Sequence, residues 1–184
     1  MHRFHRSVAA AFAVVAASAL LAQAPAQTPP LTPDIPAKFV PSQNGYDYVK
    51  REVMIPMRDG VKLYTVIAIP KGATHAPIVL TRTPYDAASR MKQVEAPYLG
   101  TELTVGDDVW VEAGFIRVFQ DVRGKYGSEG EYVMTPPPTG PLNPTGPNDT
   151  KDAWDTIDWL VKNVPESNGK VGMIGSSYEG FTVV

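Results

Sequence analysis

Near the end of the chain, Gly175-Ser176-Ser177-Tyr178-Glu179-Gly180 has the residue types and spacing of a serine nucleophile on a tight turn. The apolar run Val171 to Ile174 before it reads as a buried strand, and Phe181 to Val184 would begin the helix behind it. A serine on such a strained strand-to-helix turn projects its hydroxyl above the sheet. The next backbone N–H, that of Tyr178, is then aimed at any carbonyl the serine attacks. The chemistry of such a unit is acyl transfer through Ser177. The spacing departs from the common G-x-S-x-G pattern, in which each glycine lies two residues from the serine. Gly175 is two before Ser177, but Glu179 stands two after it and Gly180 three after. Ser176 fits worse, with Ile174 and Tyr178 in the glycine slots. On spacing alone, a glycine-rich strand-to-helix turn without chemistry stays open, as does a phosphate cradle at a helix N-terminus. A dinucleotide site has less support: there is no G-x-G-x-x-G, and this strand is not the first of the chain.

Such a turn needs a sheet to hold it. Tyr46, Tyr48, Val49, Val53 and Ile55 suggest a first strand, Arg58-Asp59-Gly60 a turn, and Val61 to Ile69 a returning strand. Asp-Gly between β-rich runs marks a hairpin. Ile78 to Thr81 is a third strand, apolar enough for burial on both faces, and it ends at Arg82-Thr83-Pro84-Tyr85. A short helix is expected around Asp108 to Ala113, and Phe115 to Phe119 is the fourth strand. Residues 121–148 form a long connection rich in glycine and proline; such loops are often functional, though a plain solvent-exposed excursion accounts for it as well. Arg123 and Lys125 occupy positions that a calcium loop would give to ligands, which argues against one. Residues 150–164 form the clearest helix, with Ala153, Ile157, Leu160, Val161 and Val164 on one stripe and Pro165 ending it. Asp152 and Asp155 read as a solvated face matched to the helix dipole, and Trp154 and Trp159 as packing residues. A hairpin followed by strand, strand, helix and strand, with an elbow at the end, is the order of an α/β-hydrolase N-terminal half, with a mostly parallel sheet after the hairpin.

The first 26 residues read as a secretory signal: Arg3 and Arg6, an uncharged apolar run from Ser7 to Leu21, then Ala24-Pro25-Ala26 for cleavage after Ala26. The run is shorter than the roughly 20 apolar residues a membrane span needs. No cysteine follows it to carry a lipid, and there is no twin arginine. The expected location is therefore the periplasm or beyond, with no stable membrane anchor. Cleavage would remove two arginines and no acid, taking the net charge from −2 to −4. That balance argues against nucleic acid or anionic membranes as partners. With no cysteine in the chain there is no disulfide, thiol nucleophile or thiolate metal site, so the core must carry stability. Residues 27–45, with five prolines by position 41, form an extended arm, and residues 46–184 the hydrolase domain. Nothing in the sequence calls for a cofactor or a metal.

Several stretches together carry a family resemblance. Gly175 to Gly180, with tyrosine directly after the serine, is similar to the cocaine esterase and X-Pro dipeptidyl-peptidase group of α/β-hydrolases. Met57-Arg58-Asp59-Gly60-Val61-Lys62-Leu63, Arg82-Thr83-Pro84-Tyr85 and Asp121-Val122-Arg123-Gly124 look like that group's other shared stretches, in the same order. The run Tyr48 to Val184, including Gly124-Lys125-Tyr126-Gly127-Ser128 and Asp152-Ala153-Trp154-Asp155-Thr156, most resembles the α-amino-acid ester hydrolases, which act on β-lactam side-chain esters and amides.

The resemblance implies Ser177 as nucleophile, the Tyr178 N–H as one oxyanion donor and the Tyr85 phenol as the second. The residues agree on Tyr85, because the second donor of such sites comes from the loop after the third strand. Without the family, a rim aromatic after a proline turn would be the favoured reading of Tyr85. Glu179 reads as a helix N-terminal acid facing solvent or a neighbouring loop. The resemblance also implies a small-molecule ester or amide substrate, a homotetramer in the full-length protein, and a cap and jelly-roll domain downstream. The triad order Ser, Asp or Glu, His places both remaining members after residue 184. His75, the only histidine after the signal, precedes the third strand and so belongs to the opposite sheet end. Residues 27–184 alone are expected to aggregate or fold partly and to show no esterase activity. The alternatives are a broader carboxylic-ester hydrolase, an X-Pro dipeptidyl-peptidase, or an inactive secreted binding module.

Overall fold

The computed structural model describes residues 47–91, 103–104, 106–144, 146 and 148–183. The expected signal peptide and the whole of the proline-rich arm, residues 27–45, lie outside them. Five strands form one sheet: β1 (Tyr48–Pro56), β2 (Lys62–Pro70), β3 (Ala76–Thr83), β4 (Ile116–Asp121) and β5 (Ser167–Met173). Their spatial order is β1-β2-β4-β3-β5. β1, β2 and β4 pair antiparallel, whereas β3 runs parallel to both β4 and β5. A 3-10 helix (Ala88–Met91), α1 (Asp108–Glu112), α2 (Asp149–Asn163) and α3 (Tyr178–Phe181) complete the described elements.

The hairpin forms where Asp-Gly interrupts two β-rich runs. Met57 and Val61 close it with a backbone bond of 2.8 Å, and the register runs from Pro56↔Lys62 to Tyr48↔Pro70. Period-two alternation then sorts the side chains to two faces. Leu63, Ile67 and Ile69 of β2 join Ile78, Leu80, Ile116 and Val118 on one side, covered by Leu160 of α2 and by Val164. Val66, Ala68 and Phe119 face the other way, against Ala87, Met91 and Val111. Every residue of β4 is buried, as expected of a strand covered on both faces.

α2 departs from its sequence reading in an informative way. Asn148 caps it, accepting the Lys151 N–H at 2.9 Å, and Leu160 packs into the core as the stripe predicts. Val161, however, is exposed, while Asp152 and Thr156 are buried. The reason lies beneath the helix. Arg82, wholly buried in β3, donates to Gln120 Oε1 at 3.0 Å and to the Asp149 carbonyl at 2.8 Å. Thr156 donates to the same Gln120 oxygen at 3.0 Å. Arg123 holds both Asp152 oxygens, at 3.0 and 2.7 Å. Asp155 likewise is bonded, to Arg58 at 2.7 Å, rather than solvated. These acids are structural ties between α2 and the sheet. Trp154 also departs from expectation: it lies on the surface, 61% exposed, under the Arg58 guanidinium.

The parallel strands β3, β4 and β5 end on the same edge of the sheet, with Thr83 beside Asp121 and Leu80 beside Met173. Open α/β sheets bind ligands outside these carboxyl ends. Tyr85, the 121–148 connection and Ser177 all leave from this edge. His75 lies at the other end, exposed just before Ala76, as its place in the sequence implied.

Candidate active site

Ser177 stands between β5 and α3 with φ 55° and ψ −126°, a conformation non-glycine residues rarely adopt. Such backbone costs on the order of 1–3 kcal/mol and persists only where its surroundings over-determine it. Here they do. The Ile174 N–H donates to Leu80 O at 3.0 Å and its carbonyl accepts Thr81 Oγ1 at 3.1 Å, fixing the chain as it leaves β5. The Gly180 N–H donates to Ser177 O at 3.0 Å, closing the first turn of α3. Thr182 Oγ1 donates to the Arg82 carbonyl at 3.2 Å, tying the end of α3 back to β3. The Ser177 side chain belongs to an exposed residue, and the Tyr178 N–H heads the helix.

The unusual glycine spacing has a geometric explanation. A Cβ on Gly175 would lie 2.3 Å from both the carbonyl carbon and the oxygen of Glu179. At Gly180 the nearest atom to an added Cβ is 3.6 Å away. The crowding is therefore one-sided: it forbids a side chain at Gly175, while Glu179, whose own side chain turns elsewhere, is accommodated. Gly175→Ala should accordingly lower stability by about 1–3 kcal/mol or more. Gly180→Ala, in a helical position, should change it by less than about 1 kcal/mol. Melting temperatures of the two variants in the full-length protein check this; equal losses would contradict one-sided crowding.

Glu179 is buried and forms an ion pair with Arg90 of the 3-10 helix. Of the two surroundings expected for it, the neighbouring segment holds it and solvent does not. That segment is the one that carries Tyr85, so the pair links the two halves of the candidate site. Tyr85 itself is 49% exposed, with its N–H donating to Thr83 Oγ1 at 3.0 Å.

Sequence reasoning missed a third phenol. Tyr132, on the 121–148 connection, is hydrogen-bonded to Tyr178, and that bond is the main cause of a raised Tyr132 pKa; burial, Asp149 and Tyr85 add to it. Tyr178 Oη also accepts the Thr135 N–H at 3.2 Å, and Lys125 Nζ sits 4.1 Å from the Tyr132 ring centroid. The connection is thus fastened to the elbow, not a free excursion. It is fastened to β2 as well, where the Glu129 N–H meets Lys62 O at 2.9 Å and Ser128 Oγ accepts the Tyr64 N–H at 2.9 Å. Between connection and α2 lies a cavity of about 430 Å³, bordered by Tyr132, Tyr178, Arg123, Pro136, Leu142 and Asp149. Its floor is charged. Burial holds the Asp149 carboxyl above its usual range against the pull of Arg82, and burial likewise lowers Arg82. Burial would lower Arg123 too, but its bonds to Asp152 and Asp59 prevail and raise it. No signal in the sequence marks Tyr132 apart from its place in a long loop.

A strained serine and a helix-heading N–H after β5, and a tyrosine just past the end of neighbouring β3, leave from one sheet edge. A family model described as X-Pro dipeptidyl-peptidase (S15 family) matches residues 59–184. The chain belongs to the S15 family. This S15 chain is 34% identical over 134 residues to a cocaine esterase from Rhodococcus sp. (strain MB1 Bresler), covering 73% of itself and 20% of that protein. Among solved structures, it is 70% identical to an α-amino acid ester hydrolase, with a TM-score of 0.73 over 85% of the S15 chain and 26% of the other. It is 55% identical, with the same TM-score and coverage, to an aminopeptidase from the marine sediment archaeon Thaumarchaeota archaeon. The fold is the N-terminal part of an α/β-hydrolase, as the element order implied. The S15 chain thus spans about a fifth to a quarter of the length of these relatives.

Proposed function

We propose that the full-length protein carrying this segment is a serine hydrolase and acyltransferase. Its substrates would be α-amino-acid esters and β-lactam amides, and Ser177 would form the acyl-enzyme. The observation that carries the reading is the positive φ of Ser177 on a strand-to-helix turn whose Gly175 admits no side chain. Ser177 Oγ attacks the substrate carbonyl carbon, and the Tyr178 N–H and the Tyr85 hydroxyl receive the oxyanion. The triad histidine, held by an acid, takes the Ser177 proton and returns it to the departing alkoxide or amine; water or a second amine then releases the acyl group. The substrate class rests on the 70% identity to an α-amino acid ester hydrolase. Export through residues 1–26 belongs to the same proposal.

The family description favours a second reading, an X-Pro dipeptidyl-peptidase. Comparing kcat/KM for an α-amino-acid methyl ester, the same ester lacking its amino group, and an X-Pro anilide separates the two. We expect the amino ester to lead its desamino counterpart by about 10²-fold or more, since a site built around a polar group rejects analogues lacking it. Equal rates on both esters would indicate a broader carboxylesterase, and a preference for the anilide the peptidase.

A further inference from the structure

Two buried polar side chains on adjacent strands hold the segment that carries Tyr85, and the chemistry above uses neither. Thr83 ends β3 and Asp121 ends β4; they are partners in the parallel register, and both are wholly buried. Thr83 Oγ1 accepts the Tyr85 N–H at 3.0 Å. Asp121 Oδ1 accepts the Ala87 N–H at 2.7 Å, while its Oδ2 accepts the Gly127 N–H at 3.1 Å. The two acceptors therefore grip the backbone on either side of Asp86, which has φ 68°. That positive φ turns the chain sharply just after Tyr85, and the bonds at Tyr85 and Ala87 define the turn's two ends.

Burying a carboxylate is costly, and burial raises the Asp121 pKa against the two N–H bonds that lower it. Packing alone would be served at least as well by an apolar residue of similar volume. What a carboxylate adds is two acceptor oxygens aimed at two loops. We propose that Thr83 and Asp121 are positioning residues for the Tyr85 phenol, fixing the turn at Asp86 so that the hydroxyl is held at the oxyanion. This rests on the reading of Tyr85 as an oxyanion donor.

The test is a double-mutant cycle in the full-length protein. The single-turnover acylation rate is measured per serine titrated with a fluorophosphonate. Asp121→Asn preserves size but offers one acceptor oxygen to two N–H donors; Thr83→Val preserves shape and removes the acceptor. Each should slow acylation about 10–100-fold, because a displacement of about 1 Å costs on that order. Added to Tyr85→Phe, each should cost less than about twofold more, since the group it positions is gone. Losses that multiply fully, or unchanged rates in both variants while Tyr85→Phe is slow, would overturn the positioning role and leave the Tyr85 reading standing. An unchanged rate in Tyr85→Phe would remove that reading and the positioning role together. Should Asp121→Asn fail to fold, Thr83→Val decides alone: coupling to Tyr85→Phe supports the proposal, and independence overturns it.

Discussion

Ser177→Ala in the full-length protein is expected to abolish fluorophosphonate labelling and to lower turnover by about 10⁶-fold, while Ser176→Ala leaves labelling largely intact. Loss of a serine nucleophile in a triad enzyme costs on that order. The two serines are adjacent in sequence but stand in different surroundings. Ser176 borders a cavity on the Arg117 and Asp107 side of the sheet, with Gly175 and Glu179. Its carbonyl is taken up by the Glu179 N–H at 3.1 Å, within the turn. Ser177 carries the positive φ that lifts a side chain out of the strand-to-helix junction. The residue after it, Tyr178, lines the other cavity, between the 121–148 connection and α2. A phosphonate that still labels Ser177→Ala would move the nucleophile elsewhere. One that labels Ser177→Ala but not Ser176→Ala would move it by one residue and leave the strained backbone at Ser177 without a purpose.

How far the sequence carries towards this site depends on whether a feature is set locally. The hairpin, the four later elements and the elbow are local: alternation, Asp-Gly, a helical stripe and small residues at a turn each speak for themselves. Boundaries shift by a few residues, most at β5, which begins at Ser167 rather than Val171: Ser167 pairs with Ala76, and a register irregularity through polar residues follows before Val171 meets Ile78. Features set by partners far along the chain are illegible in the same text. Asp152 and Thr156 look like the wet face of α2 until Arg82 and Gln120, on β3 and β4, are seen beneath them. A buried polar residue is invisible to periodicity, since its burial is permitted only by a bonding partner that periodicity does not name. Glu179 is the same case, because Arg90 lies 89 residues away. The glycine rule failed at Glu179 for a narrower reason. Close approach of two backbones needs only one of them to lack a Cβ directed at the other, and Gly175 supplies that alone.

Tyr85→Phe is expected to lower the acylation rate about 10²–10³-fold with little change in KM or in stability. Removing one preorganised oxyanion donor costs this much in other acyl-transfer enzymes. On the proposed role the loss would fall on kcat, because an oxyanion donor meets charge that develops in the transition state and not the neutral carbonyl of a bound substrate. Stability should hold, because the change deletes one oxygen from a residue 49% exposed, and surface substitutions of that kind usually stay within about 0.5 kcal/mol. The backbone of the segment is fixed independently of the hydroxyl, through the Thr83 and Asp121 acceptors, so the ring keeps its place in the variant. A lowered kcat with an unchanged melting temperature therefore reports the hydroxyl itself. Steady-state rates can hide the effect if deacylation is slow, so the acylation burst is the quantity to measure, with substrate in excess of KM. An acylation rate equal to that of the native enzyme would make Tyr85 a rim aromatic, with the oxyanion left to the Tyr178 N–H and donors on other segments.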